Sequence, residues 1–372
     1  MPRKVCHLLI LYGNKNQKYT QNLLENINKH SDDEHFIYCH GKYFTPNKIR
    51  LIVSVKQSKF KALLQFIYLF ISDRNFRKLS KKLSKRDIYK WLWLIANKID
   101  VLHIHHEHAI LNDVIQYFKD QGVKIIISLR GRDLLINSKD VKGYKLLKSK
   151  LILADEIHCI SHFMKNELLR LYGINAKVIY RGRHLPNKEN IKLFLNNNDT
   201  IKIIAAGRLV WEKGHIYLIE SIYRLLNEGY LFEVDIFGEG NLKEFLQFRI
   251  NQLGLEKIIH LKGFLEGATL RSSYKNYDIA VQPSLSEALS NGLIDFMFHN
   301  LPCVITDTGG MSEIIKDKKN GIVINKKNML QLDKAILNAK KINFEGLLKY
   351  NNEIRDKFTS NKEVEGLLKL YG

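Results

Sequence analysis

The chain is poor in cysteine and proline, with four Cys and five Pro in 372 residues. Cys6, Cys39, Cys159 and Cys303 stand far apart and form no CxxC pair, which speaks against both a zinc framework and a disulfide scaffold. A reducing, cytoplasmic compartment is the expectation. Long apolar runs are missing as well. Val5–Leu11 is too short for a membrane span and has no small-residue cleavage site behind it, and Ala62–Ser72 is also too short and is broken by Gln65. The protein is therefore expected to be soluble or peripheral. No D-x-D triplet occurs, so the usual acidic motif for a divalent cation is lacking.

Acidic side chains are scarce in one half only. Residues 1–200 hold 36 basic and 17 acidic side chains, whereas residues 201–372 hold 23 and 21, so nearly all of the formal charge of +21 sits in the first half. Such a field attracts anionic lipid, nucleic acid or phosphorylated substrates. A nucleic-acid-binding protein is one reading, although no zinc finger or RNA-recognition signature accompanies the charge.

A hydrophobic content of 45% over this length is enough for two buried cores. Short apolar runs alternate with amphipathic segments, the pattern of parallel sheets covered by helices. Strands are predicted at Val5–Leu11, Val101–Ile104, Lys124–Leu129, Glu156–Ile160 and Ala176–Tyr180. The second half adds Ile201–Ala205, Phe232–Phe237, Ile258–Leu261, Ile279–Gln282 and Cys303–Ile305. Pro186 and the run Asn196–Asn198 mark 184–199 as a linker, dividing the chain into domains 1–183 and 200–350. Residues 351–372 are expected to form a closing helix that packs back on the first domain. The fold class is α/β, with two Rossmann-like doubly wound domains facing a central cleft, and ligands belong beyond the carboxyl ends of the strands.

Three strand-end segments carry candidate chemistry. Gly207-Arg208-Leu209-Val210-Trp211-Glu212-Lys213-Gly214 follows Ile201–Ala205 and opens a helix near His215. Arg208 offers a two-pronged fork and Lys213 a point charge beside a helix amino terminus, which suits a diphosphate leaving group. The same residues would also serve as a solvated face. Next, Pro283 to Asp295 follows Ile279–Gln282 and spaces Glu287 and Asp295 eight apart, two carboxylates for hydroxyl groups along one extended ligand. Helix capping is the alternative for Glu287, and an exposed helical position for Asp295. Last, Thr306-Asp307-Thr308-Gly309-Gly310 permits close backbone approach to a ligand.

In this order the three segments resemble the donor domain of glycosyltransferase family 4, retaining enzymes of the GT-B fold that use nucleotide sugars. The G-R-L-x-x-x-K-G signature falls on Gly207, Arg208, Leu209, Lys213 and Gly214, and the paired-acid motif on Glu287 and Asp295. The resemblance implies that Arg208 and Lys213 bind the diphosphate, Glu287 the sugar and Asp295 the ribose, with Asp standing where relatives carry Glu. It implies Glu287, Arg208 and Lys213 as catalytic groups, and further donor contacts at Gly13, Gly207, Gly238, Phe264, Asn291 and Gly292. The implied activity is transfer from a nucleotide-diphosphate sugar, UDP-sugar foremost, to a saccharide or lipid-linked acceptor in polysaccharide synthesis. No cofactor or metal is expected. A GT-B-fold epimerase or hydrolase is the rival within enzymes.

The first half matches the family more loosely. His103-Ile104-His105 resembles the family's H-x-H strand end, and Ser128–Asp133 the H-G-x-D segment, with Arg130 in place of the histidine. His103, His105, Arg130 and Arg132 are expected on the acceptor side. His103 to His108 also suggest zinc, but neighbours on a strand point to opposite faces. Residues 42–98 carry fifteen Lys/Arg against Asp73 and Asp87, interleaved with Phe60, Phe66, Tyr68, Phe70, Trp91 and Trp93. That composition predicts peripheral contact with an anionic membrane, at about 1 kcal/mol per basic residue near the surface. Burial of the aromatics beneath solvating lysines is the other reading.

Overall fold

In the computed structural model of the protein, residues 2–12, 18–42, 49–53, 59–186, 191–192 and 199–372 are described. Gly13, the other residues of the first loop and much of the linker lie outside them. The chain divides into two compact units.

The first unit comprises Met1–Ile160, Met164–Ile179 and Glu363–Gly372. Its strands are β1 (Lys4–Tyr12), β2 (Glu34–Lys42), β3 (Arg50–Val53), β4 (Val101–Ile104), β5 (Lys124–Leu129), β6 (Glu156–Cys159) and β7 (Lys177–Val178). All pair in parallel, in the order β3-β2-β1-β4-β5-β6-β7. The order reverses between β1 and β4, the switch point of a doubly wound sheet. Val5, Leu9, Ile37, Val101 and Ile126 form one face of it, and the closing helix Ser360–Tyr371 lays Val364, Leu367, Leu370 and Tyr371 onto that face. Tyr19 donates a hydrogen bond to Glu363, and the Arg3 guanidinium reaches the Tyr371 carbonyl at 2.6 Å.

The second unit comprises Ser161–Phe163 and Tyr180–Lys362. Its strands are β8 (Thr200–Ala206), β9 (Leu231–Phe237), β10 (Ile259–Gly263), β11 (Ile279–Gln282), β12 (Cys303–Thr306) and β13 (Gly321–Ile324). They too are all parallel, in the order β10-β9-β8-β11-β12-β13, so this sheet reverses between β8 and β11. Ile203, Ala205, Val234, Ile236, Val281 and Val304 line its core, packed by Leu218, Ile222 and Ile336. Strands buried on both faces read as continuous apolar runs.

All ten predicted strands are present, each end within two residues of the expected one. β2, β3 and β13 were not predicted. β2 breaks its apolar run with His35, which is buried here, and β13 is only four residues long. The α/β doubly wound reading holds for both units.

Candidate functional site

The loops that leave β8, β11 and β12 interlock, and glycine makes each contact possible. Gly214 has φ +65° and sits so close to Pro283 that an added Cβ would lie 2.1 Å from its carbonyl oxygen. Gly309, at φ +61°, would place a Cβ 1.6 Å from the Glu287 carbonyl oxygen. A side chain at either position would meet both a steric clash and left-handed backbone strain. The amide of Leu285 donates to the Glu212 carbonyl at 2.7 Å, and Thr306 Oγ1 to the Ser284 carbonyl at 2.5 Å. The segment carrying Glu287 is thus clamped from both sides.

Within this clamp Lys213 Nζ lies 2.9 Å and 3.1 Å from the two Glu287 carboxylate oxygens, and both side chains are largely buried. The lysine stem crosses Gly207, where a Cβ would meet Lys213 Cε at 3.3 Å. Arg208 is exposed on the same loop. Its neighbours are pinned by the turn after β9: Gly238, at φ +142°, abuts the Gly207 carbonyl, and the Leu209 amide donates to the Glu239 carbonyl at 2.9 Å. Three of the predicted residues, Gly207, Lys213 and Glu287, therefore share one locus, with Arg208 and Gly238 bordering it.

The helix Asn291–Phe298 starts beside this loop, capped by Ser290, whose hydroxyl accepts from the Leu293 amide and donates to Gln282 Oε1 at 2.8 Å. A Cβ at Gly292 would make ordinary van der Waals contact with the Ala206 carbonyl oxygen, 3.6 Å away. The amino terminus of this helix favours an anion. Phe264 is exposed just past β10.

Asp295 requires a correction. It was expected to face a ribose, but it is buried and its carboxylate is held in a fork by Arg183, with Nε 2.8 Å from Oδ1 and Nη2 on Oδ2. Arg271 stands 4.0 Å away.

His215, which opens the helix His215–Asn227, was not singled out from the sequence. It is buried beside the Arg208 backbone. Burial, reinforced by the Lys213 cation, lowers its pKa to about 4.

Of the residues expected on the acceptor side, His103 and His105 are buried in the first unit. Parallel register puts His7, His35, His103, His105, Ser128 and His158 on one face of the sheet, where two hydrogen-bonded chains form. Arg130 Nη2 lies 2.5 Å from His105 Nδ1, and a guanidinium only donates. His105 must then carry its proton on Nε2 and donate to His7 Nδ1 at 3.1 Å, and His7 Nε2 must donate to His35 Nδ1 at 3.0 Å. The chain ends at His35 Nε2, which is buried without a partner among the described residues. The second chain runs from Tyr371 through His103, Ser128 and His158 to the Ile179 carbonyl. Burial holds the imidazoles of His7, His103 and His105 well below their ordinary pKa. One nitrogen from each of these three lies within 4.8 Å of the others, a spacing that suits a metal ion, but both nitrogens of every ring already have partners and Arg130 places a cation beside them. Arg130 also reaches Thr20 Oγ1 at 3.1 Å, and Asp133 accepts from the amides of Arg130, Gly131 and Leu134. Arg132, on the same turn, is exposed.

Residues 17–185 match the family model described as Glycosyltransferase Family 4, and residues 186–362 the model described as Glycosyl transferases group 1. An uncharacterized glycosyltransferase of Methanocaldococcus jannaschii is 30% identical over 285 residues, covering 73% of this chain and 75% of that one. The amylovoran biosynthesis glycosyltransferase AmsK of Erwinia amylovora is 30% identical over 238 residues, 61% of this chain and 57% of its own. A second Methanocaldococcus jannaschii relative is matched over only 47% of its length. Among solved structures, Anabaena Alr3699/HepE in complex with UDP-glucose superposes with a TM-score of 0.72 at 13% identity, covering 99% of this chain and 98% of that one, and shows the same GT-B fold. The chain belongs to the glycosyltransferases of Family 4 and group 1, as its two matched segments and its relative in Methanocaldococcus together show.

Proposed function

We propose that this protein is a retaining hexosyltransferase that moves a sugar from a nucleotide-diphosphate donor, UDP-sugar foremost, to a saccharide or lipid-linked saccharide in cell-surface polysaccharide synthesis. The observation that carries the reading is the contact of Lys213 with both Glu287 oxygens above Gly207. In the donor complex the Lys213 ammonium and Arg208 guanidinium meet the diphosphate, whose negative charge grows as the sugar C1–O bond breaks. The amino terminus of the helix Asn291–Phe298 favours the anion, and Glu287 accepts from sugar hydroxyls. The acceptor oxygen bonds to C1 on the face the phosphate leaves, and its proton passes to the departing phosphate oxygen, so retention needs no covalent enzyme nucleophile. Because Arg208 and Lys213 balance the phosphate charge, the reading requires no metal. HepE has been solved with UDP-glucose and AmsK is named for amylovoran biosynthesis, which supports a UDP donor and a polysaccharide product here. Contact with an anionic membrane through residues 42–98 completes the reading.

A thermal-shift screen of UDP, GDP and ADP tests the donor site, since a ligand at 100 times its Kd stabilises the native state by about 2.7 kcal/mol. UDP is expected to raise the melting temperature of the wild type but not of Lys213→Ala. Incubating the donor with and without a saccharide acceptor then separates transfer from epimerisation or hydrolysis. No shift with any nucleotide, or wild-type turnover by both Glu287→Ala and Lys213→Ala, would refute the assignment.

A further inference from the structure

The helix Lys59–Ser72 turns its apolar residues outward. Phe60, Leu63, Leu64, Ile67, Tyr68 and Ile71 are 69%, 56%, 52%, 46%, 69% and 71% exposed, whereas Ala62 and Leu69 are buried. These six positions follow the i, i+3, i+4, i+7, i+8, i+11 spacing of a single helical face, so an entire amphipathic stripe lies uncovered. The opposite side is anchored by Ala62 and Leu69 and by Phe66, which meets the buried Phe76 edge-on and stacks on Phe70, itself 41% exposed. Solvent-facing helices normally show the opposite polarity, so this one needs an apolar partner.

The next helix, Arg74–Lys82, begins after the single residue Asp73. It buries Phe76 and Leu79 and exposes Arg74, Lys78, Lys81 and Lys82 on its other face, where Lys82 reaches Asp113 at 3.2 Å. The acids that flank this helix in sequence, Asp73 and Asp87, are occupied as well. Asp73 caps the helix and accepts from Tyr117 and Gln121, while Asp87 accepts from Ser84. An apolar face beside Arg74, Lys78 and Lys81, which form no ion pair among the described residues, fits acyl chains lying beneath anionic headgroups. A second copy of the chain would instead bring Arg74, Lys78 and Lys81 against the same cations.

The end of the apolar helix suits that setting. Arg77 Nη1 donates to the Phe70 and Ile71 carbonyls at 3.0 Å and 2.7 Å, and Ser72 Oγ to the Tyr68 carbonyl at 2.7 Å. Terminal carbonyls left open would be costly next to hydrocarbon. At 14 residues the helix is about 21 Å long, enough to lie along the interface and too short to cross it.

We infer that the helix Lys59–Ser72 lies flat in an anionic bilayer surface, its Phe60–Ile71 stripe in the acyl boundary and the cations of Arg74–Lys82 among the headgroups. This rests on the membrane contact proposed above and names the element that makes it. Flotation with phosphatidylcholine vesicles, with and without phosphatidylglycerol, tests it at low and high salt. Wild type is expected to bind phosphatidylglycerol vesicles at least tenfold more strongly than phosphatidylcholine alone. Leu64→Glu/Ile67→Glu should lose tenfold or more on both, and Lys78→Glu/Lys81→Glu should lose only the salt-dependent part. Tyr68→Ser/Ile71→Ser supplies a second apolar variant, and an unchanged circular dichroism spectrum and melting temperature show that each variant folds. Wild-type binding by both apolar variants overturns the helix while leaving membrane contact standing, and absence of binding by wild type overturns both. A wild-type dimer that Ile67→Glu dissociates in sedimentation would assign the face to self-association instead. None of these results bears on UDP binding or on transfer to a soluble acceptor, which are measured separately.

Discussion

Lys213 and Glu287 are 74 residues apart in the chain yet bonded in the fold. Removing either should lower transfer by about 10²-fold or more, the usual loss when one electrostatic partner of a developing charge is deleted. Rates measured at saturating donor beside unchanged circular dichroism check this. At Gly309 the reasoning is geometric, because a methyl group would collide with the Glu287 carbonyl. Gly309→Ala is expected to reduce activity along with Glu287→Ala and to cost about 1–2 kcal/mol of stability from left-handed strain alone. Asp295 behaves differently. Asp295→Ala leaves Arg183 without its carboxylate in a buried setting and should destabilise by about 3 kcal/mol, read from urea unfolding. The Glu287–Asp295 spacing was visible in the sequence, but Arg183, which claims one of the two acids, could not be linked to it from sequence because it lies 112 residues away.

Among the elements, the closing helix shows best how a distant segment completes a core. Leu367 is buried against β1, β2, β4 and β5, so Leu367→Ala should cost about 2–5 kcal/mol, measured as a lower urea midpoint. Helical spacing near the end of the chain was legible. Packing on the first domain was expected too, but not the side chains it covers, because Val5, Ile37, Val101 and Ile126 come from four separated strands. β2 escaped notice for a related reason. Its His35 is buried, and a buried imidazole looks like a polar loop residue until the neighbouring strands supply its partners. The apolar helix shows the reverse: its composition was plain, but only the fold shows which face is left uncovered.

For the molecule as a whole, the buried histidines make stability depend on acid. His35 and His215 are held near pKa 4 in the folded protein, His35 chiefly by burial and His215 by burial and then Lys213, against about 6.5 unfolded. Below 6.5 the unfolded chain binds protons that the native state refuses. The stability these groups contribute is therefore full above pH 6.5 and falls as pH drops toward 4, at about 1.4 kcal/mol per pH unit for each group. Urea midpoints should be flat from pH 7 to 8 and drop steeply between 6 and 4.5; a flat profile through that range would contradict the buried neutral assignments.

The sequence by itself determined the alternation of strand and helix, the motif glycines and the charged groups at the ends of β8 and β11, because each of these is a local pattern of period, turn or spacing. Tertiary structure alone decided which carboxylate faces Lys213, which is consumed by Arg183, and which nitrogen of each buried histidine holds its proton. Those outcomes depend on groups far apart in the chain competing for the same hydrogen bonds, and only the packed sheets bring the competitors within reach.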